Sequence, residues 1–208
     1  MTALIEVHYL PSVSYFSALQ GCSIIVLERN ENFPKQTYRN RCQIVAAKGP
    51  QNLIVPVTMK PGKVLITDVR IDYSQKWLNN HWRTIQSAYG KAPFFEYYRD
   101  DLHDTLMKKS AFLYDLNLEL LSMCLKWLKQ DVTIMESLAY DKTVEKGTAD
   151  LRSMINAKNM ADLKFIFQPV PYTQVFGNAF AANASIIDLI FCEGPGAARI
   201  VQNSKVGD

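Results

Sequence analysis

Short apolar runs separated by polar turns occupy the first quarter of the chain and predict β-strands. Residues 3–10 form the first run, which ends at Pro11, and residues 23–27 form the second. Between them, residues 12–20 suit a short helix that stops at Gly21. A strand, a short helix and another strand in such a short stretch predict a βαβ unit and a partly parallel sheet.

Three more strands are predicted in the next part of the chain. Residues 42–46 and 52–57 flank Lys48-Gly49-Pro50, an arrangement typical of a hairpin. Pro56 lies within the second of these strands, which places that strand at an edge or marks a bulge. Residues 64–71 predict a further strand.

After residue 74 the apolar positions recur every three or four residues, which is typical of helices. The first predicted helix begins near Ser74 and ends at Gly90, and Pro93 allows another to begin. Leu113–Trp127 carries the strongest helical pattern in the chain. The middle of the protein is therefore predicted to be helical.

The last third of the chain contains both apolar runs that predict strands and apolar spacing that predicts helices. Residues 132–135 and 163–167 predict strands, and the polar residues 141–150 predict a mobile loop between them. Ser185-Ile-Ile-Asp188 resembles a capping box at the start of an apolar helix, and Gly194-Pro195-Gly196 ends that helix and can start another. Together these patterns predict one α/β domain over residues 1–208, with a mixed sheet of about five to seven strands flanked by helices and a helical carboxyl-terminal half.

Composition excludes several classes of protein. The 208 residues carry a net charge of +3 with no long basic run, so nucleic acid is not an expected partner. No window approaches 18 apolar residues, and no signal-peptide pattern precedes Glu6, so we expect a cytoplasmic protein without a membrane span. The four cysteines form no C-x-x-C pair, which excludes a zinc ribbon or a thioredoxin-type site. The oligomeric state stays open.

Common catalytic motifs are absent from the sequence. There is no P-loop, no G-x-G-x-x-G, no G-x-S-x-G and no H-E-x-x-H. The three histidines, His8, His81 and His103, are far apart in sequence and give no ligand cluster, so no metal site is expected. The sequence names no cofactor.

His8 is the first candidate for chemistry. If the first apolar run is a strand, His8 lies at its carboxyl end, where open α/β sheets bind their ligands. A histidine there can act as a general base, since its ordinary pKa is near neutral. The alternative is a histidine that bonds a turn carbonyl beside the aromatic residues Tyr9, Tyr15 and Phe16.

The segment from Lys35 to Arg41 is the second candidate. Lys35, Tyr38, Asn40 and Arg41 suit a phosphate, carboxylate or sugar hydroxyl ligand, because a guanidinium group binds oxyanions through two hydrogen bonds. If the stretch is extended, Arg39 and Arg41 point to one side and Asn40 to the other. The alternative is a solvated basic loop.

The third candidate is the start of the first long helix. His81 and Trp77 are four residues apart and therefore lie on one helix face near its amino terminus, a position that attracts anions. The alternative assigns Trp77 to the core and gives Asp72 or Ser74 only the role of capping the helix.

These segments occur in a familiar order, and the chain resembles the WbqC-like protein family, in particular its shorter Bacteroidetes-type members. The similarity extends from about residue 6 to about residue 198. Two departures from the family pattern stand out: Glu6-Val7 replaces the usual Gln-Pro, and a Gly-rich segment is missing around residues 150–163. The matching segments are His8-Tyr-Leu-Pro, Tyr15-Phe16, Tyr38-Arg-Asn-Arg41, Leu53-Ile-Val-Pro-Val57, Ile71-Asp-Tyr-Ser-Gln-Lys-Trp77, His81-Trp-Arg-Thr-Ile85, Tyr89-Gly-Lys-Ala-Pro-Phe-Phe95, Tyr172-Thr-Gln-Val-Phe176 and Ser185-Ile-Ile-Asp-Leu-Ile-Phe191.

The resemblance implies a role in the assembly of bacterial surface polysaccharides such as O-antigen. It implies a transferase of aminoacyl or acyl type, with glycine as one candidate group, acting on a nucleotide-linked amino sugar or glycan precursor. In this hypothesis His8 or His81 is the catalytic base, Lys35 and Arg41 hold a diphosphate or carboxylate, Asn40 bonds a sugar hydroxyl and Trp77 stacks on a ring. Tyr38 and Asp72 complete the expected substrate-binding set. The competing hypothesis is a non-catalytic module that binds carbohydrate or a partner protein.

Overall fold

The computed structural model describes residues 1–156, 163–176 and 179–206. The strands are β1 (Thr2–Ile5), β2 (Ile24–Leu27), β3 (Arg41–Ala46), β4 (Gly49–Ile54), β5 (Val57–Thr58), β6 (Arg70–Ile71), β7 (Thr133–Glu136) and β8 (Thr148–Asp150). The helices are α1 (Val13–Ala18), α2 (Trp77–Tyr89), α3 (Phe95–Met107), α4 (Leu113–Trp127), α5 (Ile186–Glu193) and α6 (Ala197–Asn203). Short 3-10 turns cover Ile66–Asp68 and Gly194–Gly196. This is an α/β fold, as the sequence predicts.

The central feature is a four-stranded parallel sheet in the order β7-β2-β1-β8. β1, α1 and β2 form the predicted βαβ unit, and the residues of this short helix are all buried. The chain moves outward from β1 to β2 and β7 and then returns to the other side of β1 as β8. The strand order therefore reverses between β1 and β8, which in open α/β sheets is where a ligand crevice forms at the carboxyl ends.

Burial explains the arrangement of the layers. Ala3, Ile5, Ile25 and Leu27 alternate along β1 and β2 and are completely buried, so one face of the sheet belongs to the core. Helices α2 to α5 supply most of the remaining core, in which the apolar stripe of α4 is buried along its whole length. The helix predicted over Leu113–Trp127 is thus confirmed, and it begins and ends at the predicted residues.

Two small antiparallel pairs lie outside the central sheet. β3 and β4 form the predicted hairpin, in register from Arg41 with Ile54 to Ala46 with Gly49. β5 pairs with β6, and Pro56 lies in the break between β4 and β5, as expected of a proline at the end of a ladder. The parallel and antiparallel pairs therefore occur in separate sheets.

Three strand and loop predictions are wrong. Residues 64–71 form a 3-10 turn and the two-residue strand β6, because their backbone bonds are divided among separate partners at Glu31, Phe33, Ala111 and Leu113. Residues 163–167 are a helical turn, in which the Phe167 N–H donates to the Leu163 carbonyl at 2.8 Å. The segment 141–150, predicted as a loop, contains β8, whose pairing comes from the distant strand β1.

None of the helices in the described residues is long and apolar enough to cross a membrane. Cys22, Cys42, Cys124 and Cys192 are buried free thiols, and burial raises the pKa of each. Residues 157–162, which belong to the stretch where the resemblance lacks its Gly-rich segment, lie outside the described residues.

Candidate functional site

Charged and polar side chains follow every strand of the parallel sheet at its carboxyl end. Glu6 follows β1, Glu28 follows β2, Ser137 follows β7, and Arg152 and Ser153 follow β8. Since parallel strands end at the same edge, these side chains meet there, and the two carboxylates, Glu6 and Glu28, are buried. Buried charges at the carboxyl edge of such a sheet mark the first place to look for a binding or catalytic site.

Glu6 and His8 form a buried pair at this edge. Each is 1% exposed, and His8 Nε2 lies 3.3 Å from Glu6 Oε1. The His8 ring also lies between the rings of Tyr15 and Tyr38, at centroid distances of 5.0 and 5.6 Å. Its other nitrogen, Nδ1, is buried and has no hydrogen-bond partner in the described residues. His8 is thus oriented through one nitrogen while the second stays available.

Arg39 connects this pair to a second carboxylate. Its Nε and Nη2 donate to the two oxygens of Glu31 at 2.5 and 2.6 Å, and Nη2 lies 3.4 Å from Glu6 Oε1. The Ser153 backbone N–H donates to both oxygens of Glu6, at 3.2 and 3.0 Å. Glu6 therefore receives bonds from three different segments of the chain, which holds its carboxylate in place.

These contacts determine the protonation states. Burial alone would raise the pKa of Glu6, but His8, Arg39 and the Ser153 N–H together lower it to about 2. Burial lowers the pKa of His8 despite the hydrogen bond to Glu6. At neutral pH we therefore expect an ionised Glu6 and a neutral His8, whose Nε2–H donates to the carboxylate and whose Nδ1 carries a lone pair.

Burial also acts on the Glu31–Arg39 pair. It raises the pKa of Glu31, although the hydrogen bonds from Arg39 act in the opposite direction. For Arg39, burial is outweighed by the hydrogen bonds to Glu31 and the charge of Glu6, so its pKa is raised and it remains a cation. The buried cation Arg39 thus pairs with two carboxylates, Glu6 and Glu31.

A second network connects the other strand ends. Arg152 Nη1 donates to Glu28 Oε2 at 3.2 Å, and its Nε and Nη2 donate to Asp150 at 2.9 and 2.8 Å. The Ser137 hydroxyl donates to Glu28 Oε1 at 2.6 Å. These bonds tie together the ends of β2, β7 and β8 in a polar layer at the carboxyl edge of the sheet.

A cavity of about 310 Å³ opens beside the Glu6–His8 pair. Lys35, Arg39 and Ser153 lie in its wall, together with neighbouring residues of the 34–37 loop and Asn156. Since both Arg39 and Ser153 also contact Glu6, one layer of side chain and backbone separates the cavity from the buried pair. A cavity of this size suits a small ligand or one group of a larger one.

The model of the WbqC-like protein family matches residues 7–164, which include His8, the Lys35–Arg41 segment and His81. The chain belongs to the WbqC-like family. Among curated proteins, this WbqC-like chain is similar to the uncharacterized protein Rv1507c of Mycobacterium tuberculosis, with 26% identity over 142 residues. That match covers 67% of this chain and 61% of the relative, so the chain spans less than two thirds of the relative's length. No solved structure matches the chain.

In this WbqC-like chain His81 lies in a different cluster from His8. Its Nδ1 lies 3.0 Å from the Tyr9 hydroxyl, and the Trp77 ring meets it edge-on at 5.0 Å, as the four-residue spacing predicts. Burial lowers the pKa of His81 to about 4, while a hydrogen bond to the Ile54 backbone acts to raise it. Both ring nitrogens are engaged, and in the described residues the two histidines share no hydrogen-bond or ring partner.

The predicted ligand-binding residues are distributed over both clusters. Lys35 lines the cavity and Tyr38 is the partly exposed ring against His8, so these two lie near the Glu6–His8 pair. Asn40 is buried, and its side-chain amide donates to the Val55 carbonyl. This bond links the residue before β3 to the segment between β4 and β5. Arg41 is half-buried at the start of β3, and its buried Nε has no partner in the described residues.

The Lys35–Arg41 stretch is not extended. Residues 35–40 form consecutive turns and bends, so the condition under which Arg39 and Arg41 would share one side is not met, and Arg39 and Asn40 are both buried. Asp72 accepts the Ser74 backbone N–H at 2.9 Å, but α2 begins after Lys76 and no side chain caps it, so the expected capping of this helix by Asp72 or Ser74 is wrong. Trp77 is buried, and its Nε1–H has no acceptor in the described residues.

Sequence reasoning missed Glu6, Glu31, Glu28 and Arg152 as members of the site. A usable indication was present, since Glu6 and Glu28 each come directly after an apolar strand of a predicted parallel sheet. Nothing in the sequence showed that residues near 150 would return beside β1. In the described residues no group of three histidine, cysteine or acidic side chains is arranged to hold a metal ion.

Proposed function

We propose that this WbqC-like chain is a cytoplasmic transferase that moves an acyl or aminoacyl group, such as glycyl, onto a nucleotide-linked amino sugar or related glycan precursor. The observation that carries this proposal is the Glu6–His8 pair, with its orienting carboxylate and its free ring nitrogen. A base held by a carboxylate through one nitrogen, with the other nitrogen available, is the arrangement that activates nucleophiles in many acyl-transfer enzymes. Family membership supports the substrate class.

In the proposed step, a lone pair on the acceptor amine or hydroxyl attacks the carbonyl carbon of an activated acyl donor such as a thioester. His8 Nδ1 accepts the proton of the nucleophile, the bond between the carbonyl carbon and the leaving group breaks, and the proton passes to the leaving thiolate. Glu6 stabilises the imidazolium ion that forms. His81 is the weaker candidate for the base, since its nitrogens already have partners within the protein.

The cations have proposed roles on the substrate side. Lys35 lies in the wall of the cavity beside Glu6, and Arg41 has a buried donor without a partner, so both suit the diphosphate or a carboxylate of the substrate. The partly exposed Tyr38 ring packs against His8, and we propose that it moves aside when substrate enters. Asn40, Asp72 and Trp77 remain proposed contacts to the sugar or base.

The test begins with the acceptor. A thermal-shift screen with nucleotide-linked amino sugars identifies the ligand, for which a rise in Tm of about 2–4 °C is expected near saturation. Turnover is then measured by mass spectrometry of the acylated sugar, with acyl-coenzyme A and glycyl thioesters as donors. His8→Gln should lower kcat by about 10²–10⁴-fold, and His103→Gln, at an exposed histidine, should leave it unchanged. Full turnover in both His8→Gln and His81→Gln would refute the proposal.

The dependence of kcat/KM on pH gives a second test, which begins with the wild-type protein. Because His8 must be deprotonated to act, and because burial lowers its pKa, kcat/KM should rise through an apparent pKa below 6.5 and be level above it. Glu6→Gln should shift or flatten this rise, since it removes the carboxylate that stabilises the protonated ring. If sugars bind but no donor gives product, and if His8→Gln keeps full affinity, the chain is a binding module instead.

A further inference from the structure

A second cavity, larger than the one beside Glu6, is lined mainly by the segment that joins β5 to β6. Its volume is about 740 Å³, and it is open to solvent. We call it the basic groove and define it by the cations Lys60, Lys63 and Arg70 together with the apolar wall of Leu65 and Phe112. None of these residues belongs to the Glu6–His8 site, and the sequence motifs discussed above include none of them.

The backbone brings the two lysines together. Pro61-Gly62 separates them, and Gly62 has a φ of +101°, a conformation that L side chains rarely adopt. Proline followed by glycine at positive φ is typical of the two central residues of a type II turn, which places the flanking residues side by side. Lys60 and Lys63 are therefore held at the two ends of one tight bend.

Arg70 adds a third positive charge to the same groove. Its guanidinium carbon lies 4.7 Å from the centre of the Phe112 ring, so the ring positions the cation, and Arg70 as a whole is exposed. The lining includes one carboxylate, Asp68, yet within the described residues none of the three cations has a carboxylate oxygen within 4.0 Å. Three like charges that converge without a partner repel one another, and an anion would relieve that repulsion.

Apolar side chains also line the groove. Leu65 is 39% exposed, although it is a large aliphatic side chain, and Met59, Val64 and Phe112 are the other apolar residues of the lining. A concave surface that combines cations with exposed apolar groups suits a ligand that has both an anionic and an apolar or planar part. Its concave shape favours a small ligand over a nucleic acid.

We propose that the basic groove binds a phosphorylated small molecule whose phosphate groups pair with Lys60, Lys63 and Arg70 and whose planar part lies against Leu65 and Phe112. The inference does not rest on the proposed transferase activity, because no residue of the groove contacts the Glu6–His8 pair. It also differs from the sequence-based assignment of phosphate binding to Lys35 and Arg41, which can be tested in parallel.

Isothermal titration calorimetry with inorganic pyrophosphate and with uridine 5′-diphosphate tests this assignment. Both should bind, and uridine diphosphate should bind several times more tightly, because it adds a planar base and a ribose to the two phosphates. Lys60→Gln/Lys63→Gln should weaken both ligands by about tenfold or more. The matched control is Lys142→Gln/Lys146→Gln, which removes the same charge from two exposed lysines outside the groove and should change neither affinity.

Three outcomes would overturn the inference. The first is the absence of binding by either probe up to about 10 mM. The second is an equal loss of affinity in the two double variants, which would indicate a general charge effect. The third is equal affinity for the two probes, which would show that the apolar wall has no part in binding. Each titration is repeated in Lys35→Gln/Arg41→Gln, which removes the two cations proposed to hold the substrate diphosphate at the other site. Binding that this variant keeps and that Lys60→Gln/Lys63→Gln loses belongs to the basic groove, so that failure of the catalytic proposal and failure of this one are distinguishable.

Discussion

His8 and His81 are both buried histidines with lowered pKa values, yet they differ in what their second nitrogen does. In His81 both nitrogens have partners, the Tyr9 hydroxyl and the Ile54 backbone. In His8 only Nε2 has a partner, and that partner is an ionised carboxylate. Residue type and burial are the same at the two positions, so the availability of the second nitrogen is what separates a structural histidine from a candidate base.

Acid stability follows from His81. Its pKa of about 4 in the folded state lies below the ordinary value of 6.5, so the unfolded chain binds the proton more readily. Stability should therefore be complete above about pH 6.5 and fall as the pH decreases to about 4, by roughly 3 kcal/mol for this one group. Urea unfolding of wild type and His81→Gln between pH 7 and pH 4 measures the effect. If His81→Gln lost stability over this range as steeply as wild type, the assignment would be wrong.

Arg39 provides a second prediction at the residue scale. Arg39→Met would leave the buried Glu6 and Glu31 without their cation, and we expect a loss of about 3–5 kcal/mol in the free energy of unfolding. Arg39→Met/Glu31→Leu removes the carboxylate as well and should recover a large part of the loss. Chemical denaturation of the two single variants and the double variant measures the coupling. Additive losses would contradict the interpretation that one cation serves both carboxylates.

At the scale of elements, the junction between α5 and α6 depends on a single glycine. Gly194 has a φ of +53°, and a Cβ built on it would lie 2.4 Å from Cδ1 of Phe94. Gly194→Ala should therefore destabilise the protein by about 1–3 kcal/mol, because it combines backbone strain with a steric clash. Gly196→Ala is the matched control, since Gly196 has helical φ and its nearest neighbours would be 3.8 Å from a Cβ. Thermal unfolding of both variants compares them, and equal Tm values would contradict the prediction.

The start of α5 shows how a correctly predicted helix can rest on an incorrect detail. Ser185 precedes α5 and Asp188 follows three residues later, which predicted a capping box. The Ser185 hydroxyl instead donates to the Leu10 carbonyl, and Asp188 accepts hydrogen bonds from Tyr89, Tyr172 and Gln174. The helix is where the sequence places it because its apolar residues are buried, while its polar residues form long-range contacts.

Local pattern was sufficient where an element has its own apolar stripe, as in α4, α2 and the β1-α1-β2 unit. It failed at β8, where three residues with one apolar side chain become a strand only because β1 has a free edge.

The candidate site shows the same limit of prediction from local sequence. His8 could be predicted from its position after a strand, but the pairing of Arg39 with Glu31 and the return of Ser153 to Glu6 depend on tertiary structure.

At the scale of the whole molecule, the polar layer at the sheet edge also holds the sheet together. β8 has three residues, and Arg152 connects it to Glu28 after β2 and to the Asp141 carbonyl. Arg152→Met should loosen this edge, with faster amide hydrogen exchange at residues 148–151 and a loss of about 3 kcal/mol or more in the free energy of unfolding. Unchanged exchange at these residues in mass spectrometry would show that β8 is held by its backbone bonds alone.

The position of β1 also has a consequence for synthesis on the ribosome. Thr2 pairs with Ile24 on one side and with Thr148 on the other, so one edge of β1 finds its partner early and the other waits for more than a hundred further residues. At about 5–20 residues per second that interval is roughly 6–25 s. During it, the nascent chain exposes an apolar strand edge that any other extended segment can occupy. A chaperone that shields this edge, or slow codons placed after residue 150, would therefore change the yield of folded protein more than its final stability.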